Sequence, residues 1–276
     1  MSDHPHRLAV PLIRRARGFR LYDAQGRRFI DLWQAGGRAL LGHRSTQIGR
    51  GWANVVSRGL LAALPSGEQE RLLRRLTSLL PGWRCVLAPD QATAMAWARY
   101  GLGEAELAVT DPARGPSDSP LQLWRPHCED HDASAARALI LILPYTVGQM
   151  PTPVCFRDVL PSLPGDQADC HWLSPVVAAV ALAGLAAVAR RPRPVWAGSG
   201  LLKPSAPWRL RGIYLAPQVA ADRYPALFQA FLAQGMVLNP ELGGVSILPA
   251  ELSEGEVARL RRALNTPAEE FAGGSG

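Results

Sequence analysis

Three places in the sequence carry residues that could do chemistry. Lys203 is the only lysine among the 30 basic residues, so a mechanism that needs a lysine amine, such as Schiff-base formation, has one candidate. His127 and His131 stand four apart in "HCEDHD", a spacing that could hold a metal ion on a helix; the preceding Pro126 favours a solvated helix start instead. Ser199 in "AGSGLL" suggests a nucleophile turn, but its flanks favour a simple Gly/Ser loop.

Composition limits the classes of function that these residues could serve. The 276 residues can form one large domain or two smaller ones, and a hydrophobic fraction of 47% indicates an ordinary folded protein. The net charge of +7 would suit nucleic acid, but the arginines are spread along the chain with no run longer than two. Because no zinc-finger or aromatic RNA-binding pattern accompanies them, we expect no nucleic-acid partner.

The sequence also predicts a cytoplasmic protein with no membrane span. The first residues lack the apolar core of a signal peptide. The run from Trp172 to Ala189 is long enough to cross a bilayer, but alanine dominates it and Pro175 lies near its start, so a buried helix is favoured. The cysteines form no CxxC pair and no framework spacing, which predicts reduced thiols. They are Cys85, Cys128, Cys155 and Cys170.

Alternating strands and helices must position these residues. "RLYDAQGRRFIDL", from Arg20 to Leu32, predicts a hairpin, and Ala138–Leu143 predicts a strand buried on both faces of a parallel sheet. Capping boxes at Ser66 and Ser253 predict the starts of two helices. The other predicted elements are helices from Ser45, over Gln91–Tyr100, over Pro175–Ala189 and from Asp222 to near Gly235, and strands at Cys85–Leu87, "GIYLAP" and "GVSILP". This order indicates an α/β class with an α+β C-terminal part.

The segment from Pro11 to His43 resembles the start of class III aminotransferases, the group that includes glutamate-1-semialdehyde aminomutase. That family opens with a "G-x-x-L-x-D-x-x-G-x-x-Y-I-D" hairpin followed by a Gly-rich turn that ends in "LGH". The residues that match are Gly18, Leu21, Asp23, Gly26, Phe29, Ile30, Asp31, Leu41, Gly42 and His43.

The resemblance continues in the same order along the chain. The next two helices are similar to family helices of which the second ends in Leu-Pro-Gly, and "LSPVVAAVALAGLAAV" is similar to the family's "S-G-N-P" helix. The resemblance implies a fold-type-I transferase of pyridoxal phosphate (PLP), with a reduced large domain built on a mostly parallel sheet and a smaller α+β domain. We expect residues 1–44 to belong to the small domain, 45–190 to form the shortened large domain and 191–276 to complete the small domain.

PLP is the cofactor that the resemblance implies, but the family's cofactor-binding features are altered or missing. The phosphate-gripping turn corresponds to "APDQATA", where Pro89 and Asp90 replace Ser-Gly; proline has no amide donor and a carboxylate repels phosphate. The loop Asp111–Pro120 lacks the aromatic residue that stacks on the pyridine. The strand that carries the pyridinium aspartate is not found, and Leu143 replaces the glutamate of the "E-P" strand.

The order of the pieces also argues against Lys203 as the Schiff-base lysine. It follows the "S-P" helix instead of preceding it, so a solvated surface lysine is favoured. We therefore expect a degenerate relative that has lost PLP catalysis and acts as a non-catalytic scaffold or partner subunit, in a homodimer or beside an intact relative. A residual PLP-dependent aminotransferase or aminomutase with a remodelled site, and a metal-dependent function at His127 and His131, are the alternatives.

Overall fold

The computed structural model describes residues 7–128, 133–144, 151–158, 161–162, 172–191, 194–197 and 200–267. His131, Ser199 and Cys170 lie outside these ranges. The described chain forms two compact units. Unit 1 contains the described parts of Met1–Arg44, His127–Glu129 and Arg191–Gly276, and unit 2 those of Ser45–Pro126 and Asp130–Arg190.

The described elements are short strands and six helices of ten to fourteen residues. The strands are β1 (Ile13–Arg17), β2 (Arg20–Asp23), β3 (Arg28–Asp31), β4 (Trp83–Ala88), β5 (Leu121–Trp124), β6 (Ala138–Leu141), β7 (Thr152–Arg157), β8 (Trp208–Arg211), β9 (Tyr214–Pro217), β10 (Met236–Val237) and β11 (Ser246–Ile247). The helices are α1 (Thr46–Val56), α2 (Gly67–Leu79), α3 (Gln91–Leu102), α4 (Pro175–Val188), α5 (Tyr224–Ala233) and α6 (Glu254–Leu264).

Unit 1 contains two small sheets and the helices α5 and α6. One sheet has the order β1-β2-β3-β10, and the other has the order β11-β9-β8. The predicted hairpin is confirmed: β2 and β3 pair antiparallel, and the Asp23 carboxylate accepts hydrogen bonds from the Gln25 and Arg27 amides across the turn. The predicted capping box of α6 is also complete, with Ser253 and Glu256 bonded reciprocally.

Unit 2 contains one sheet of order β4-β7-β6-β5 and the helices α1 to α4. Its core is apolar and includes Trp97 of α3, Ile140 of β6 and Phe156 of β7. Helix α4 packs against α1 and α2, and Gly184 lies so close to the Pro144 carbonyl that a Cβ atom there would be 2.3 Å from its oxygen. The prediction of a buried helix is confirmed, and among the described residues no helix is both long enough and apolar enough to span a bilayer.

The sheet of unit 2 differs from the mostly parallel sheet that we predicted. The pair β5–β6 is parallel, but β7 lies between β4 and β6 and is antiparallel to both. No strand is predicted at β7 from the sequence, because prolines interrupt that region and proline is disfavoured inside a sheet. Pro153 nevertheless lies in β7, opposite Leu87 of β4.

The prediction of reduced thiols is wrong for two of the four cysteines. Cys85 and Cys155 are directly opposite each other on β4 and β7 and form a disulfide. The two cysteines are 70 residues apart in the sequence, and this distance matches no known disulfide pattern. The pairing follows from the antiparallel register of two strands, one of which the sequence did not reveal.

Candidate functional site

The N-terminus of α3 is the place where the family resemblance expects a phosphate. Asp90 precedes the helix in an extended conformation, and its carboxylate accepts a hydrogen bond of 2.7 Å from the Thr93 amide. Pro89 before it contributes no N–H. The positive end of this helix is therefore already capped by a carboxylate of the chain itself. A second anion 4 Å from that carboxylate would meet a repulsion of about 1 kcal/mol even in water, and more when desolvated.

Lys203 belongs to unit 1, whereas Asp90 belongs to unit 2. Its side chain is exposed, and its backbone amide donates to the Asn265 side-chain oxygen at 2.5 Å. It lines an open groove of about 520 Å³ with Arg261 and Arg262 at the end of α6. The structure thus groups this lysine with two arginines of unit 1.

These residues do not fit PLP held in the family's manner. A Schiff base to the cofactor needs a lysine, and the single lysine of the sequence lies exposed in a surface groove of unit 1. The helix end that would grip the phosphate carries a carboxylate, and Leu143, where the family has a glutamate, is a buried apolar residue. We therefore derive no reaction through the cofactor.

His127, the first residue of the predicted metal pair, occupies a turn with a left-handed φ of 59°. Its predicted partner His131 lies outside the described residues. The metal site and its favoured alternative, a solvated helix start, therefore stay predictions. Among the described residues, no group of three His, Cys, Asp or Glu side chains could hold a metal ion.

An aspartate–histidine pair in unit 1 is a polar contact that the sequence analysis missed. Asp31, which is 1% exposed, ends β3, and its Oδ2 lies 2.7 Å from Nε2 of His43. Its Oδ1 accepts hydrogen bonds from the Trp33 and Gln34 amides, so one carboxylate fixes both the ring and the following turn. The backbones of His43 and Gly18 also exchange two hydrogen bonds, of 2.7 and 3.0 Å. Two residues that carry the family resemblance thus hold the hairpin to the segment after it.

A buried arginine lies beside the same turn. Arg191 donates to the carbonyls of Leu40 and Leu248 at 2.8 and 3.1 Å, and its guanidinium lies 5.8 Å from the Phe19 ring centroid. Burial lowers the pKa of Arg191 to about 10, since no acidic side chain among the described residues pairs with it.

The turn itself is unusual in conformation. Gln34 and Ala35 have left-handed φ values of 47° and 49°, which side chains other than glycine rarely adopt. The Gln34 amide group donates to the Ile247 carbonyl, but its Oε1, like Nη1 of Arg191, has no partner among the described residues. Strained backbone and unsatisfied buried atoms often mark functional positions. Here they surround a structural junction, and we assign them no reaction.

Comparisons with known proteins agree on the fold. No protein-family model matches the chain. An uncharacterized protein of Treponema pallidum (strain Nichols) is 27% identical over 282 aligned residues, which cover 86% of this chain and 88% of that protein. An omega-transaminase from Sphaerobacter thermophilus has a TM-score of 0.69 at 13% identity, with 99% of this chain and 94% of that one covered. Plasmodium falciparum ornithine delta-aminotransferase has a TM-score of 0.67 at 14% identity, covering 96% and 94%.

The predicted fold class is therefore confirmed. The chain has the α/β fold of fold-type-I PLP transferases, and the likeness to solved structures extends over nearly the whole chain. At 13% to 15% identity this likeness concerns the fold and leaves the chemistry to be argued from the residues.

Proposed function

We propose that the chain is a degenerate class III aminotransferase-like protein, of the group to which glutamate-1-semialdehyde aminomutase belongs, that has lost PLP-dependent catalysis. The observation that carries the proposal is the carboxylate of Asp90 on the Thr93 amide, where an active relative would need amides free for phosphate. The exposed position of Lys203, the sequence's one lysine, supports it, because the aldimine and the proton transfers both depend on such an amine.

The protein then acts through contacts, as a scaffold or partner subunit. We propose a homodimer or a heterodimer with an intact relative. The small domain comprises residues 1–44 and 191–276, and the shortened large domain comprises 45–190. Six large hydrophobic side chains of the described part of unit 2 are 37% to 58% exposed, which supports a protein partner. They are Trp52, Leu61, Leu64, Leu79, Tyr100 and Trp172. Sedimentation equilibrium of the purified chain tests the homodimer, and a strictly monomeric chain would leave only the heterodimer.

A PLP titration tests the loss of catalysis directly. We expect no aldimine absorption band on the purified chain, and no pyridoxyl adduct on Lys203 by peptide mass spectrometry after borohydride reduction. The Lys203→Met variant serves as the control for PLP adsorbed elsewhere. A saturable band that disappears in Lys203→Met would contradict the proposal and support the alternative, a residual PLP-dependent aminotransferase or aminomutase with a remodelled site.

A cytoplasmic location stays a prediction from the sequence. The Cys85–Cys155 disulfide of the structure counts against this location, because the cytosol keeps most thiols reduced. The two agree only if the bond is largely reduced in the cell. Rapid alkylation of lysates followed by mass spectrometry measures that state. A fully oxidised pair would contradict the cytoplasmic location.

A further inference from the structure

The groove beside Lys203 concentrates positive charge from two separate segments. Lys203 comes from the connection before β8, whereas Arg261 and Arg262 come from the last turn of α6. All three side chains are exposed. Among the described residues, none that lines the groove is acidic, and none forms a salt bridge with these three cations.

The helix dipole accounts for only part of this arrangement. Arginines in the last turn of a helix complement its negative end, which explains Arg261 and Arg262 in a folded protein without any ligand. It does not explain why a third cation lines the same groove. Like charges repel, so an element that brings Lys203 to this helix end lowers stability unless something offsets the repulsion.

Asn265 is the residue that holds the two segments together. Its side-chain oxygen accepts from the Lys203 amide at 2.5 Å. Its side-chain amide donates to the carbonyls of Leu201 and Arg261, at 2.8 and 2.7 Å. One carboxamide thus binds the backbone of the Lys203 connection at two points and the end of α6 at a third, so the backbones that carry the three cations are fixed before any ligand arrives.

We propose that this groove binds a small phosphate-bearing anion without forming a covalent bond. Its volume of about 520 Å³ lies in the range of small-molecule sites, about 300 to 1,000 Å³. Two arginines can bind phosphate oxygens through forked N–H pairs, and the lysine adds a point charge. The groove's residues belong to unit 1 and Asp90 belongs to unit 2, and the groove proposal does not depend on the proposed loss of PLP chemistry.

Isothermal titration of the full chain with inorganic pyrophosphate at constant ionic strength tests this proposal. We expect saturable binding at one site that Arg261→Gln/Arg262→Gln weakens by about tenfold or more. The matched control is Arg14→Gln/Arg17→Gln, which removes the same charge from exposed positions of β1 in the same unit. Non-saturable binding, or equal weakening by the two double variants, would show that only overall charge is involved and would overturn the site.

Asn265→Ala separates a built site from a chance cluster of cations. It removes no charge but releases the Lys203 connection, so we expect weaker pyrophosphate binding, with a thermal melt to show that the variant is folded. Unchanged affinity in a folded Asn265→Ala would remove the argument for preorganisation and with it the proposal. The small-ligand class would be overturned if a short single-stranded DNA bound more tightly than pyrophosphate and lost affinity in Arg261→Gln/Arg262→Gln.

Discussion

At the scale of single residues, Glu256 of unit 1 is a buried carboxylate whose pKa is set by its hydrogen bonds. Its carboxylate is 3% exposed and accepts hydrogen bonds from Arg20 at 2.8 Å and from the Ser253 amide at 2.8 Å. Burial by itself raises the pKa of the Glu256 carboxyl, but the hydrogen bonds from Arg20 and Ser253 together outweigh it and lower the pKa to about 2. The folded-state pKa is therefore below the ordinary value of 4.5.

This shift predicts how stability depends on pH. A carboxyl with a depressed folded-state pKa contributes stability that is complete above pH 4.5 and is lost as the pH falls toward about 2. We expect Glu256→Gln to lower the unfolding free energy by about 2 kcal/mol at neutral pH. Its stability should also fall less steeply than that of the unaltered protein as the pH drops below 4.5. Urea denaturation of both proteins at neutral pH and near pH 3 measures this.

The control for this prediction is Glu241→Gln. Glu241 pairs with Arg7 at 3.0 Å, but the two side chains are 45% and 62% exposed, so the pair contributes about 0 to 1 kcal/mol. If Glu241→Gln and Glu256→Gln had equal effects, the buried contact with Arg20 would contribute no more than a surface pair.

At the scale of elements, Gly184 decides how closely α4 can approach the segment after β6. A Cβ atom at this position would lie 2.3 Å from the Pro144 backbone oxygen, and a backbone atom cannot move aside as a flexible side chain can. We expect Gly184→Ala to lower the unfolding free energy by about 1 to 3 kcal/mol, despite alanine's higher helix propensity. Urea midpoints measure the change.

Gly49→Ala in α1 is the matched control for the helix substitution. It makes the same chemical change in a helix of the same unit, but nothing lies within 4 Å of the added Cβ. We expect it to raise stability by up to about 1 kcal/mol. Stabilisation by both variants would mean that α4 can move away from Pro144 without penalty.

The helices and strands also show which elements can be predicted from local sequence signals and which cannot. The capping box at Ser253 and the continuous alanine-rich run of α4 predicted these helices to within a residue or two, because both signals are contained in the helix itself. Strand β7 was missed because Pro153 is unfavourable within a sheet by local rules. Burial between β4 and β6 outweighs that cost, and such tertiary packing is not visible in a short stretch of sequence.

The same limit applies to the candidate site. The replacement of Ser-Gly by Pro89-Asp90 could be interpreted from the sequence, because a helix cap is local, and the structure shows Asp90 bonded as a cap. The contact of His43 with Asp31 spans 12 residues, and Arg191 binds carbonyls 151 and 57 residues away in the chain. No spacing rule predicts them.

At the scale of the whole molecule, the disulfide is expected to stabilise only the unit that contains it. Cys85 and Cys155 both belong to unit 2, and the bond closes a loop of 70 residues within it. By the loop-entropy argument, such a crosslink stabilises the unit by about 4 kcal/mol. Unit 1 contains neither cysteine, so reduction should leave its own hydrogen bonds intact.

Hydrogen exchange measured by mass spectrometry checks this prediction peptide by peptide. On reduction we expect faster exchange in β4, β6 and β7, because the sheet of unit 2 opens more often, and unchanged exchange in the β2–β3 hairpin of unit 1. Cys128→Ser should respond to reduction as the unaltered chain does, whereas Cys85→Ser/Cys155→Ser should exchange fast under both conditions. An equal rise in both units would mean that the chain unfolds as one cooperative body, and no rise in unit 2 would mean that the β4–β7 pairing holds without the bond.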